Sequence, residues 1–273
     1  WRQRLKQLSM RQRNKRRLNS VDTRTISICS GYGGIELALS AVVPGIRTVC
    51  YVENEASACE ILGARIKDGL LDDAPIWTDL RTFDATAWRG RVHLITGGFP
   101  CQPHSVAGNR KGADDSRELS GEVLRIAEEL GYPTLFLENV PGIRKFWYYN
   151  VRPRLQSMGY RVEEVLVTAA ETGAPHKRQR LFILANNERL GIQVQAERKH
   201  AGKQVGGDHV TRSNGLYPPG PEDLKEWAHL LSEMPTLIPA FCRVANGATP
   251  WVDKQIRAIG NGVVPAVAAR AWQ

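Results

Sequence analysis

Four short apolar runs, at residues 25–29, 47–52, 92–96 and 134–137, are separated by stretches of helical periodicity. This alternation constrains the chain most. Successive parallel strands need a crossover between them, and a helix is the usual one. The expected fold class is therefore α/β: a doubly wound, mostly parallel sheet, with a small irregular region inserted. The first run enters Ser30-Gly31-Tyr32-Gly33-Gly34, and a helix is expected from about residue 35 to 43, stopped by Pro44-Gly45. Residues 55–67 carry Ala58, Ile61, Leu62 and Ile66 on one helical face. Further helices are expected over 116–130 and over 143–158, the latter broken around Pro153. Residues 161–168 and 180–184 read as a pair of strands.

The pattern stops after Ala185. Residues 189–215 hold five glycines, five basic side chains and only Glu197 and Asp208 as acids. Composition alone describes this as a solvated, irregular loop. An amphipathic helix is expected over 221–234, with Leu224, Trp227, Ala228, Leu231 and Met234 packing inward. Order returns at 251–258, followed by Ile259-Gly260-Asn261-Gly262-Val263-Val264-Pro265 and a short terminal helix.

The net charge of +9 is unevenly spread. Residues 1–20 carry eight basic side chains and no acid, whereas the other 253 residues hold 29 basic and 28 acidic groups. The basicity belongs to an N-terminal arm, which reads either as a phosphate-contacting segment or as a solvated tail. The first Met is Met10, so the start is expected there or upstream. No apolar run approaches membrane-spanning length, and no apolar block follows the basic N-terminus as a signal peptide would require. Five cysteines without a Cys-x-x-Cys pair point to free thiols, a cytoplasmic setting and no metal.

Ligands of open α/β sheets bind at the carboxyl ends of the strands. Cys29 to Gly34, Glu53, Cys101 and Glu138 all fall at such ends. The glycine loop is not a dinucleotide fingerprint, because residue 36 is Glu where the third glycine belongs, and an acid in the first helical turn would repel a pyrophosphate. Glu53 could accept both hydroxyls of a ribose, and Asp79 an adenine amino group, although either acid alone is as readily a cap or turn residue. Together they describe a nucleoside pocket without phosphate chemistry, which S-adenosyl-L-methionine fits. Cys101, between Pro100 and Gln102-Pro103-His104-Ser105, is a loop cysteine placed as a nucleophile, unlike Cys50 and Cys59, which read as inert core thiols. Glu138 could donate a proton to a ring nitrogen if burial raised its pKa. Alternation places Arg178 and Arg180 on one face, as holders of a carbonyl or phosphate or as a basic edge.

Gly-Phe-Pro-Cys-Gln-Pro-x-Ser (98–105), Leu-Glu-Asn-Val (137–140), Arg-x-Arg (178–180) and Gly-Asn-Gly-Val-Val-Pro (260–265) resemble, in order and spacing, the motifs of DNA cytosine-5 methyltransferases of the short bacterial and phage type. The resemblance spans residues 25–185 and 245–273. It implies the S-adenosylmethionine-dependent methyltransferase fold, with a basic arm (1–20), a catalytic domain (21–185), a target recognition region (186–246) and a C-terminal segment (247–273) returning to the catalytic domain. It implies that Cys101 attacks C6 of a flipped-out cytosine, that Glu138 holds N3 and the exocyclic amine, that Arg178 contacts the carbonyl and that Arg180 supports Cys101 or Glu138. Gly31, Tyr32, Gly33, Gly34, Glu53, Asn54, Asp79, Leu80, Pro100, Leu119 and Asn261 would surround the cofactor. Gln102, Ser105, Arg110, Lys111, Arg198, Lys199 and Lys203 would meet DNA. The implied partners are double-stranded DNA and, in a restriction system, a cognate endonuclease; a monomer in a bacterial or phage-infected cytoplasm, with no membrane contact, is expected.

The chain departs from the family pattern at three places. Cys29 stands where an aromatic residue is usual, His176 where Gln is usual, and Gly262 where Ser or Ala is common, the last expected to be mild. A tRNA cytosine methyltransferase of the same fold and a catalytically silent DNA-binding protein are the alternatives. Loss of Cys101 or Glu138 would mark the silent protein, and both are present.

Overall fold

The computed structural model describes residues 22–100, 119–174, 176–187, 225, 228, 229, 232 and 262–273. Strand and helix alternate as expected: β1 (Thr23–Ile28), α1 (Gly34–Val42), β2 (Ile46–Val52), α2 (Ala56–Lys67), β3 (Ile76–Trp77), β4 (Leu94–Gly97), α3 (Ser120–Glu129) and β5 (Thr134–Asn139). A compound helix follows (α4, residues 144–157), then the long strands β6 (Tyr160–Thr168) and β7 (Gln179–Asn187), and α5 (Pro265–Trp272) closes the chain. The seven strands form one sheet in the order β3-β2-β1-β4-β5-β7-β6. The first five pair in parallel. β7 runs antiparallel between β5 and β6. This brings the start of β7 beside the end of β5, with Asn139 opposite Leu181.

Both sheet faces are covered, which is why the central strands read as continuous apolar runs rather than alternating ones. One face buries Ile26, Ile28, Ile95, Leu135 and Leu137 against Val123 and Ile126 of α3 and Trp147 and Leu155 of α4. The other buries Leu94, Phe136 and Phe182 against Ile35 and Leu39 of α1 and Val267 and Trp272 of α5. Phe136 stacks on Phe182 with ring centroids 5.6 Å apart, and Trp272 meets Phe136 edge-on at 5.0 Å. Aromatic contacts therefore fix the C-terminal helix to the centre of the sheet.

Several sequence expectations need correction. β7 continues to Asn187, so the region expected to begin at 186 overlaps the strand by two residues. The break expected around Pro153 is a π-helical turn at Trp147–Val151, and Pro153 sits in the first turn of the α-helical piece that follows, where a missing N–H costs nothing. On α2 only Leu62 is buried; Ala58, Ile61 and Ile66 are partly exposed, because α2 covers an edge of the sheet rather than its centre. Cys59 is half-buried rather than a core thiol, its Sγ donating to the Glu53 carbonyl at 3.2 Å. Within 221–234 the four described residues are helical, but Ala228 is exposed rather than packed. The basic arm, Cys101, Gln102, Ser105, Arg110, Lys111, Arg198, Lys199, Lys203 and Asn261 lie outside the described residues.

Candidate active site

The carboxyl edge of the sheet gathers the candidate residues because every strand before β6 ends there. Glu138 is the next-to-last residue of β5 and is buried. Its Oε1 pairs with Arg180 Nε at 2.8 Å, across the antiparallel β5–β7 junction. Burial pushes the Glu138 carboxyl up to about 7, against the pull of Arg180 and Arg178. The group therefore exchanges a proton near neutrality, as a general acid should. A Cβ on Gly98 would stand 3.0 Å from Glu138 Oε2, tight enough that the carboxylate would have to give by a few tenths of an ångström. The segment that leads into Pro100 and Cys101 thus begins against Glu138.

Asn139, quoted in the Leu-Glu-Asn-Val motif without a role, has one. Its Nδ2 donates to the Phe99 carbonyl at 3.0 Å, and its Oδ1 accepts from the Val140 N–H at 2.9 Å. One buried amide ties the chain just before Pro100 to the end of β5. Its position beside Glu138 was the available signal; the bond to Phe99 joins segments 40 residues apart and has no local signature.

Arg180 pairs with Glu138 and the Arg178 charge also acts on that carboxyl, so the two guanidinium groups share a side, as alternation predicts. Arg178 Nη2 donates to the Gly262 carbonyl at 2.5 Å, and burial followed by the neighbouring Arg180 charge lowers its pKa. Arg178 therefore also anchors the segment that follows Asn261. Tyr32 is a second anchor: its hydroxyl donates to the Val263 carbonyl at 2.7 Å. Arg65 of α2 holds the Tyr32 carbonyl at 2.6 Å and lies 4.8 Å from the centre of its ring. No signal in the sequence marks Arg65 for this contact, which joins residues 33 positions apart. Gly262 is not a mild replacement for Ser or Ala, because a Cβ there would fall inside the Tyr32 ring. Tyr32 fills the space that a side chain at 262 would need.

The glycine loop, Gly97, Gly98, Gly262 and Val263 line one cleft, with Ser27 and Glu36 in its wall. Glu36 does not face a phosphate position at the helix start. It is buried, accepts from Thr96 Oγ1 at 2.7 Å, and has its pKa raised by desolvation. Gly31 and Gly33 have φ of 54° and 77°, the left-handed region that glycine enters at no steric cost. Cys29 adopts φ 46° without being glycine, and desolvation pushes its thiol up to about 12. That excludes a thiolate at Cys29 near neutral pH.

Glu53 closes the loop from the side: Oε2 accepts from Gly31 N–H at 2.7 Å and Oε1 from Glu55 N–H at 2.8 Å. Each oxygen keeps a further lone pair. Asp79 follows β3 and caps a 3-10 turn through Arg81 N–H at 3.0 Å, with Leu80 buried behind it. Asn54 is exposed, whereas Pro100 and Leu119 are partly exposed.

Residues 23–222 match the family of C-5 cytosine-specific DNA methylases. The chain is 34% identical over 169 residues to the type II methyltransferase M.NgoMIV of Neisseria gonorrhoeae, covering 60% of this chain and 52% of that protein. It is 30% identical over 253 residues to the type II methyltransferase M.NaeI of Lentzea aerocolonigenes, covering 88% and 60% respectively. The chain thus spans little more than half the length of these relatives. Among solved structures, a DNMT2 variant of Spodoptera frugiperda superposes with a TM-score of 0.59 at 15% identity, over 91% of this chain and 98% of that one. The Entamoeba histolytica methyltransferase EhMeth gives 0.51 at 18% identity, over 61% and 53%. At such identities the likeness speaks to the fold, which is that of an α/β methyltransferase. By the extent of the matched region, the chain belongs to the C-5 cytosine-specific DNA methylase family.

Proposed function

We propose that this chain transfers a methyl group from S-adenosyl-L-methionine to C5 of a cytosine flipped out of a specific double-stranded DNA sequence. The observation that supports this most is Glu138, a buried carboxyl with a pKa near 7, paired with Arg180 and pressed against the segment that leads into Cys101. C5 of cytosine is a poor nucleophile, and adding a thiolate at C6 activates it. Cys101 Sγ forms a bond to C6, and the electron pair released from the C5–C6 double bond is delocalised toward N3. Glu138 gives its proton to N3, which keeps charge from building on the ring. Arg178 holds the base carbonyl and Arg180 orients Glu138. C5 then takes the methyl group. Loss of the C5 proton and departure of Cys101 restore the double bond. Extruding the base costs a few kcal/mol, offset in part by cationic contacts to phosphates.

The residues present fit the cofactor. Glu53 and Asp79 end neighbouring strands as acceptors for hydroxyl and amino groups, and nothing stands within 4 Å of a Cβ built on Gly31. Bound there, S-adenosylmethionine supplies an electrophilic methyl group. Gly33, Gly34, Leu80, Asn54, Pro100, Leu119 and Asn261 complete the proposed pocket, and the reaction needs no metal. Gln102, Ser105, Arg110, Lys111, Arg198, Lys199 and Lys203 are the proposed DNA contacts. The arm at 1–20 adds phosphate contacts, and 186–246, with its first two residues in β7, is the proposed recognition region. A monomer in a bacterial or phage-infected cytoplasm completes the proposal, and the type II class of the relatives supports a restriction endonuclease as its companion.

The test is to express the gene in a methylation-deficient host and map modified cytosines across the genome. The expected result is 5-methylcytosine in one short sequence context, lost with Cys101→Ser. Duplex DNA carrying 5-fluorocytosine at that position should become covalently attached. Unmodified DNA with methylated tRNA would move the substrate to RNA. No methylation of either would leave a silent DNA-binding protein.

A further inference from the structure

The compound helix α4 starts five residues after Asn139, so its first turn lies at the same sheet edge as Glu138. Its outer face is unusual. Tyr148 and Tyr149 are 55% and 67% exposed, their rings meeting edge-on at 5.1 Å. Arg144, Lys145 and Arg154 are exposed around them. No acid occurs between Glu138 and Glu163. The nearest following acids are engaged: Glu163 pairs with Arg161 at 3.1 Å, and Glu164 with Arg152 at 3.3 Å and the Trp147 indole N–H at 2.7 Å. Arg152 in turn lies 5.7 Å from the centre of the Tyr148 ring. The partly buried Trp147–Glu164 bond anchors the π-helical turn, and that turn presents both tyrosines outward.

An exposed aromatic pair among cations that form no ion pair with an acid among the described residues is costly as a mere solvated face and suits an anionic polymer that also accepts hydrogen bonds. Ten residues of helix extend the face about 15 Å from the Glu138 edge. That length matches several phosphates of one duplex strand, spaced about 3.4 Å along the axis per strand.

We infer that the outer face of α4, with Arg144, Lys145, Tyr148, Tyr149 and Arg154, is an accessory site for the sugar–phosphate backbone of double-stranded DNA flanking the target cytosine. The cations meet phosphates, and the tyrosine hydroxyls donate to phosphate oxygens. These contacts are sequence-independent and add affinity and register rather than base choice. The inference rests on the proposed DNA reaction, but it concerns residues outside the catalytic set.

The test uses the full chain, with Arg144→Ala/Lys145→Ala and Tyr148→Ser/Tyr149→Ser as separate double variants. Circular dichroism and S-adenosylhomocysteine affinity serve as folding controls. Binding is read by fluorescence anisotropy on mixed-sequence duplexes of about 12 and about 30 base pairs, the longer chosen to reach past the cleft. For the charge variant, affinity for the long duplex should fall about tenfold and the salt slope by about 2. The tyrosine variant should lose about threefold with its salt slope unchanged. Both should bind the short duplex nearly as wild type. Unchanged affinity and salt slope on the long duplex in both variants would overturn the inference, as would a loss seen with an RNA hairpin and not with duplex DNA. If wild type binds DNA through this face and methylates nothing, the proposed reaction fails and this site stands. If wild type methylates and the variants bind the long duplex unchanged, the site fails alone.

Discussion

Arg180 Nε stands 2.8 Å from Glu138 Oε1, yet the carboxylate it faces titrates near 7 rather than near 4.5. Loss of hydration outweighs the attraction of a guanidinium in direct contact. The pair is therefore not a device for holding Glu138 ionised. It holds the carboxyl in place while leaving its proton exchangeable, which suits the proton transfer proposed for it.

The first prediction is a pH-dependent stability term. Because the folded pKa lies above the unfolded one, the native state binds more protons between pH 4.5 and 7. Glu138 therefore leaves stability untouched below that window and lowers it progressively as pH rises through it, by on the order of 3 kcal/mol at pH 8. Glu138→Gln should remove this slope. Urea unfolding of both proteins at pH 5, 6.5 and 8 checks it. Parallel slopes would show that Glu138 titrates normally. In methyl transfer, kcat should fall above about pH 7, and Glu138→Gln should lose that limb along with roughly a hundredfold or more of the rate.

Removing the cation gives a second test. After Arg180→Ala, Glu138 escapes an unpaired charge by keeping its proton. The cost of doing so grows by about 1.4 kcal/mol for each pH unit above 7. The variant should thus be destabilised more at pH 8 than at pH 6, by about that amount. Equal losses at both pH values would mean that Glu138 is neutral throughout or ionised throughout.

Asn139→Ala strands the Phe99 carbonyl and the Val140 N–H at a buried strand end. A cost of about 1–3 kcal/mol follows. Because the same amide fixes the segment entering Cys101, kcat should drop while S-adenosylmethionine affinity holds. Asn139→Asp keeps the acceptor for Val140 but sets a carboxylate against the Phe99 oxygen, so it should rescue neither quantity. Isothermal titration for the cofactor and single-turnover methyl transfer separate the two effects. A loss of cofactor affinity equal to the loss of rate would mean a general collapse of the site.

Much of this site was legible in the chain. Glu53, Asp79 and Glu138 sit at strand ends because apolar runs announce strands and polar residues end them. Alternation sufficed to bring Arg178 and Arg180 to one side. The two-residue strand β3 is too short to show a period, and the π-helical turn at Trp147–Val151 is anchored by a Trp147–Glu164 bond that no local pattern encodes. First-turn position alone suggests that Glu36 faces a ligand, whereas its side chain turns inward to Thr96. The least legible relationships join residues far apart in the chain. Tyr32 and Val263 are 231 residues apart, and neither residue alone signals the other.

That last contact carries the final prediction. The Tyr32 hydroxyl and ring hold the segment at 262–263, and the ring occupies the space a side chain at 262 would take. Gly262→Ala must therefore displace Tyr32, at a cost of about 1–3 kcal/mol, and should weaken cofactor binding because Tyr32 belongs to the loop that lines the cleft. Tyr32→Phe keeps the ring and loses only the hydrogen bond, about 1 kcal/mol, and should not relieve Gly262→Ala. Tyr32→Leu combined with Gly262→Ala clears the clash and should recover most of the stability lost by Gly262→Ala alone. The coupling energy from this double-mutant cycle, measured by thermal unfolding and by cofactor titration, should be opposite in sign to the two single losses. Additive losses would mean that the loop at 31–34 and the segment at 262–263 accommodate each other by backbone movement and that the fit between Tyr32 and Gly262 is incidental.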